Sequence, residues 1–91
     1  MSEPAYRLVT ASSAERALAR LPEKAAAAVV EFATGALVDA PRAVGHSLQR
    51  ERTGLWAARR GAYRVIYEID DGAGIVSVLQ VDHRADVYRS H

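Results

Sequence analysis

Gly54-Leu55-Trp56-Ala57-Ala58-Arg59-Arg60-Gly61-Ala62-Tyr63-Arg64-Val65-Ile66-Tyr67-Glu68-Ile69-Asp70 is the stretch that decides the fold. Within it Tyr63–Asp70 alternates with a period of two, which puts Tyr63, Val65, Tyr67 and Ile69 on one face of a strand. Leu55–Arg60 reads as its neighbour across a turn at Gly61, and Ile75–His83 as a third run beyond Asp70-Asp71-Gly72-Ala73-Gly74. Acids and glycines of that kind suit a hairpin loop, so the three runs predict an antiparallel meander.

Upstream, Tyr6-Arg7-Leu8-Val9 is short and β-prone and predicts a first strand. Ser12 with Glu15 matches a capping box, opening a helix to about Leu21 on which Ala14, Leu18 and Leu21 share a face. Pro22 ends that helix and suits the first turn of another. The alanines 25–28, then Val29, Val30, Phe32, Ala33 and Leu37, carry the second helix to near Val38. Pro41–Gly54 is irregular, with room for one short strand, and Ala85–Arg89 predicts a short C-terminal helix or turn. This order predicts an α+β fold in one domain, residues 1–91: an N-terminal strand, then a helical hairpin packed on one face of an antiparallel sheet of three to four strands.

The chain has 91 residues, 12 Lys+Arg, 11 Asp+Glu and no cysteine. That length leaves room for one thin core and a shallow site. Of its 49% hydrophobic residues, 18 are alanine, so the core is smaller than the percentage suggests. Disulfides and thiolate metal sites are excluded, and a reducing, cytoplasmic setting is expected. No stretch reads as a signal peptide or a membrane span, and no membrane partner is expected. Charge is unevenly placed: six of the 12 basic residues (Arg42, Arg50, Arg52, Arg59, Arg60, Arg64) fall between positions 42 and 64, with one acid, Glu51.

Arginine presents planar, permanently charged donors that match phosphate, so Arg59, Arg60 and Arg64 around the Gly61 turn make a candidate anion site. Alternation separates Arg59 from Arg60, so at most one of them joins Arg64. The bland reading, a solvated turn decorated with arginine, accounts for the charge equally well. Val81-Asp82-His83-Arg84-Ala85-Asp86-Val87-Tyr88-Arg89 adds an imidazole, two guanidiniums and a phenol. Together these are able to move a proton, stabilise a phosphorane and stack on a base, the equipment for RNA cleavage by the substrate's own 2′-OH. A lone histidine at a strand end is more often a surface residue than a catalyst. Trp56 reads as core rather than a stacking platform. His46, His83 and His91 sit at no metal-ligand spacing, so neither metal nor other cofactor is expected.

The 54–70 stretch and His83-Arg84-x-Asp86-Val87-Tyr88 together resemble the RelE/ParE toxin superfamily, RelE branch, over residues 6–89. The resemblance implies a toxin of a type II toxin–antitoxin pair that enters the ribosomal A site and cuts mRNA without metal. Carried over by position, it implies catalytic roles for Arg64, Arg84 and Tyr88, and a commonly basic position at Arg59. Two lysines of some relatives read here as Leu55 and Ala57. Arginine stays protonated and cannot act as the base. His83 is therefore the first candidate to take the 2′-OH proton, and His46 the second, since another branch places an acidic base just before the Leu48 position. Arg50, Arg52, Arg59 and Arg60 would hold RNA phosphates, which gives affinity and salt dependence but little sequence choice.

Implied partners are a cognate antitoxin and the ribosome with its mRNA, with DNA reached only through the antitoxin complex. Two other readings share the fold: a ParE-like, non-catalytic inhibitor of DNA gyrase, and a weakly active toxin serving mainly as an antitoxin-bound co-repressor.

Overall fold

A computed structural model of the chain describes residues 5–48 and 54–83. Its elements run β1 (Arg7–Thr10), α1 (Ser12–Ala19), α2 (Glu23–Phe32), β2 (His46–Ser47), β3 (Trp56–Arg60), β4 (Tyr63–Asp70) and β5 (Ile75–His83). The expected meander β3–β4–β5 is antiparallel throughout. The sheet is larger than the sequence suggested and mixed: β1 joins β5 in parallel, β2 pairs antiparallel with β3, and the order is β1-β5-β4-β3-β2. A parallel neighbour needs a crossover, and the helical hairpin between β1 and the meander supplies it. The predicted C-terminal helix or turn at Ala85–Arg89 lies outside the described residues.

One face of the sheet meets the helices. Ala58, Val65, Tyr67, Val76, Val78 and Val81 are buried there with Ala14 of α1, Val29 and Phe32 of α2, and Leu37 and Val38 beyond it. Val78 and Val81 both point inward although alternation would separate them. A β-bulge reconciles them: Ile66 pairs with Gln80 but Tyr67 with Val78, so Leu79 is the extra residue and resets the parity. Ser13 donates its hydroxyl to the Leu79 carbonyl at 2.7 Å, pinning α1 to that bulge. The capping box does not form, because Ala11 is the N-cap and no side chain caps the helix. Ser13, one residue further on, reaches across to the sheet.

Five-residue spacing shapes the end of α2. Phe32 and Ala33 are buried, and so are Leu37 and Val38. On an α-helix five residues turn the chain about 140° past a full revolution, which would send one pair to solvent. The backbone instead continues as a π-helical segment over Ala33–Leu37, whose i→i+5 repeat keeps both pairs on the core. Thr34 assists by donating to the Val30 carbonyl at 2.8 Å.

Candidate active site

Residues paired across an antiparallel ladder share a face. Arg59 is opposite Arg64, Arg64 is opposite Asp82, and His46 is opposite Ala57, itself two residues from Arg59 on β3. His46, Arg59, Arg64 and Asp82 thus stand on the sheet face away from the helices. Arg60 is on the other face, its guanidinium 6.0 Å from the centre of the Phe32 ring. So the expected separation of Arg59 from Arg60 holds, and Arg59 is the one that joins Arg64.

His83 does not join them. It pairs with Tyr63, and the two rings meet edge to face at 5.1 Å on the helical side. The imidazole is at the right strand end but on the wrong surface for a group shared with Arg64. His46, the second candidate, has the Arg64 face. Arg50, Arg52, Arg84 and Tyr88 lie outside the described residues. At the two positions where some relatives have lysine, Leu55 is half-buried and Ala57 is fully buried. Gly45 lies against the latter: a Cβ there would stand 2.6 Å from the Ala57 carbonyl oxygen and collide with the Tyr67 hydroxyl, so this position admits only glycine.

Two features set the Arg59–Arg64 pair apart from the other described arginines. Like charges directly opposite each other destabilise a sheet. Arg64 also buries its Nε, which has no hydrogen-bond partner among the described residues. A buried guanidinium N–H without an acceptor is costly, and an anion bound between the two arginines would relieve both penalties. Asp82, the carboxylate across from Arg64, is engaged by Gln80, whose Nε2 donates to Oδ2 at 2.7 Å. Among the described residues no three His, Asp or Glu side chains gather in a way that would hold a metal ion, and no helix is long and apolar enough to cross a membrane.

Residues 8–88 match the ParE toxin family of type II (parDE) toxin–antitoxin systems. The chain belongs to the RelE/ParE superfamily. Toxin RelG of Mycobacterium tuberculosis is 50% identical over 92% of this chain and 97% of its own length. Toxin RelE of the same organism is 45% identical over 92% of this chain and 87% of its own. The toxin chain in the crystal structure of the M. tuberculosis toxin–antitoxin complex RelBE2 superposes with a TM-score of 0.86, at 48% identity, covering 90% of this chain and all of that one. The chain is thus a RelE-like toxin of a type II toxin–antitoxin system, and its two helices on a mixed five-stranded sheet match the fold of RelE toxin structures.

A second polar cluster, which sequence reasoning passed over, lies at the other end of the sheet. Arg42 forks onto Asp71, Nη1 to Oδ1 at 3.1 Å and Nη2 to Oδ2 at 2.8 Å, and Tyr6 donates its hydroxyl to the same Oδ1 at 2.6 Å. The Arg42 bond, and after it the Tyr6 bond, hold the Asp71 carboxyl down at about 2, while the Asp71 carboxylate raises the Tyr6 phenol. The two acids in the hairpin loop signalled a turn, and nothing in their spacing pointed to a distant arginine.

Proposed function

We propose that the chain is a ribosome-dependent, metal-independent endoribonuclease that cuts mRNA in the A site. The observation that carries this reading is the Arg59–Arg64 pair, opposed across two strands, with a buried Arg64 Nε that lacks an acceptor. A phosphodiester supplies what that pair needs: two anionic acceptor oxygens that match the guanidinium forks, and a charge that grows toward the phosphorane. In the proposed step the 2′ oxygen attacks phosphorus, the P–O5′ bond breaks, and the products are a 2′,3′-cyclic phosphate and a free 5′-OH. Arg64, with Arg84, holds the scissile phosphate. Tyr88 protonates the leaving oxygen or stacks on a base, and Arg50, Arg52 and Arg59 serve flanking phosphates; Arg60, expected with them, is on the opposite face beside Phe32 and drops out of the set.

Of the two histidine candidates for the 2′-OH proton, the register favours His46. It shares a face with Arg64, whereas His83 is turned toward Tyr63. A cognate antitoxin is the expected partner, since the M. tuberculosis relative crystallised with one. An antitoxin segment covering the arginine face would neutralise it and block RNA together.

Mapping 5′ ends on a translated mRNA after controlled expression tests the reading. Wild-type protein should produce cuts inside codons, absent when translation is blocked before elongation. Arg64→Ala should lose about a hundredfold or more of the cleavage, as for removal of one oxyanion donor. His46→Ala should lower the rate by about 10²–10⁴, more than His83→Ala does. Growth arrest with no new 5′ ends, and with supercoiling stalled, would move the chain to the gyrase inhibitors.

A further inference from the structure

We infer that Arg42, unlike the other arginines of the basic stretch, does not bind nucleic acid but is a positioning residue, the bar of a clasp that sets the His46 edge of the arginine face. The inference rests on the cleavage reading above for its consequence, though not for its geometry.

His46 sits in a two-residue edge strand, paired with β3 only through His46–Ala57 and Ser47–Trp56. So short an edge is weakly held by itself. Arg42 stands four residues before His46, and its guanidinium is 5.8 Å from the centre of the ring of Trp56, the residue paired with Ser47 in that edge. The same guanidinium is anchored by the fork onto Asp71.

Asp71 is itself fixed, because its hairpin closes through Gly74 N–H to the Asp70 carbonyl at 2.8 Å and Ala73 N–H to Asp70 Oδ1 at 3.0 Å. Arg7 of β1 then donates to the Gly74 carbonyl at 2.7 Å. Next to Arg42, the Pro41 carbonyl accepts the buried Tyr67 hydroxyl at 2.6 Å. Further along, Leu48 N–H donates to the Leu55 carbonyl at 2.8 Å.

An exposed ion pair usually contributes little, and these side chains are 51% and 59% exposed. This one differs in being bidentate, shared with Tyr6, and within cation–π range of an indole, which together favour one orientation of the fork. A guanidinium with both terminal nitrogens on Asp71 and its Cζ 5.8 Å from the centre of the Trp56 ring is already engaged and has little left to offer a phosphate.

The test uses the purified full chain with Arg42→Ala, Asp71→Asn and Asp71→Glu, and Arg59→Ala as a contrast. Hydrogen exchange at the Leu48 amide should rise about tenfold in Arg42→Ala and Asp71→Asn, because the opening it reports becomes easier. Emission of Trp56, the single tryptophan, should shift in Arg42→Ala.

On ribosomes programmed with an mRNA carrying a 2′-deoxy scissile nucleotide, Arg42→Ala should bind within about twofold of wild type with an unchanged salt slope, whereas Arg59→Ala should lose about one unit of slope. Single-turnover cleavage of the ordinary mRNA should fall about tenfold in Arg42→Ala and Asp71→Asn, and recover in Asp71→Glu, which keeps the carboxylate.

Leu48 exchange at the wild-type rate in both variants overturns the clasp. So does a loss of affinity and slope in Arg42→Ala equal to that of Arg59→Ala, which would make Arg42 a phosphate ligand. A wild-type chain that cuts no RNA, with exchange still raised in both variants, leaves the clasp standing and removes the nuclease reading alone.

Discussion

The two faces of this sheet are made by the same strands, residue by residue in alternation, yet they follow opposite rules. On the helical face Val65, Tyr67, Val76 and Val78 are almost wholly buried, and the Tyr67 hydroxyl, the polar group among them, has its acceptor in the Pro41 carbonyl. On the other face Arg59 opposes Arg64, and Arg64 keeps a buried Nε without a partner. The arginine face is packed as well, at Ala57 and Ile66, and differs in having one buried side-chain nitrogen, the Arg64 Nε, without an acceptor among the described residues. A sheet tuned only for stability gains nothing from two arginines set across from each other, and this is what the proposed phosphate site would use.

The widest separation of the two faces comes from truncating each at its centre. Tyr67→Ala removes a fully buried aromatic ring from the helical face and should cost about 3–5 kcal/mol by urea denaturation, a large part of the stability of a domain this size. Arg64→Ala, one ladder step from Val65, should keep or raise the urea midpoint, since it removes one of two opposed like charges and a buried unpaired donor, while losing cleavage. Equal losses of stability in the two variants would show that the faces are not separable and that Arg64 is part of the scaffold.

Periodicity made the meander legible, because Tyr63, Val65, Tyr67 and Ile69 repeat every second residue and Gly61 and the 70–74 loop mark its turns. The helical hairpin was legible from Pro22 and the apolar positions around it. Pairing of β1 with β5 was not, since four residues carry no record of which distant strand they will join. The Leu79 bulge and the π-helical turn were hidden for a related reason: each inserts one residue into a regular repeat, and only packing from outside the element makes the insertion favourable. At the candidate site, alternation correctly sent Arg59 and Arg60 apart. It could not place His83 against Arg64, because that depends on the β4–β5 register, which pairs Tyr63 with His83 and Arg64 with Asp82.

Tyr67→Phe asks a finer question of the helical face. The ring stays and packing survives, but the Pro41 carbonyl loses its donor, at a cost of about 1–3 kcal/mol. The same substitution should change the alkaline limb. Burial pushes the Tyr67 phenol up to about 12. A phenol in the unfolded chain titrates near 10, so folding favours the neutral form. Its contribution is fully present below pH 10 and is lost as pH rises from about 10 toward 12, about 2–3 kcal/mol in all. Wild-type stability, followed by urea midpoints across that window, should fall more steeply than that of Tyr67→Phe and close the gap between them. Parallel curves would mean that the phenol is not held neutral by the core.

The smallest effect is on the arginine face and has the opposite sign. If Arg59 and Arg64 repel each other across the ladder with no anion between them, Arg59→Ala should not destabilise the protein. It should raise stability by about 0.2–1 kcal/mol at low salt, the range for directly opposed like charges. The gain should shrink as added salt screens the pair, since the Debye length falls to about 8 Å at physiological ionic strength. Inorganic phosphate should shrink it further by binding the wild-type pair, stabilising that protein and not the variant. A loss of stability in Arg59→Ala at every salt concentration would mean that Arg59 is held by contacts worth more than the repulsion. The arginine face would then be scaffold like its counterpart.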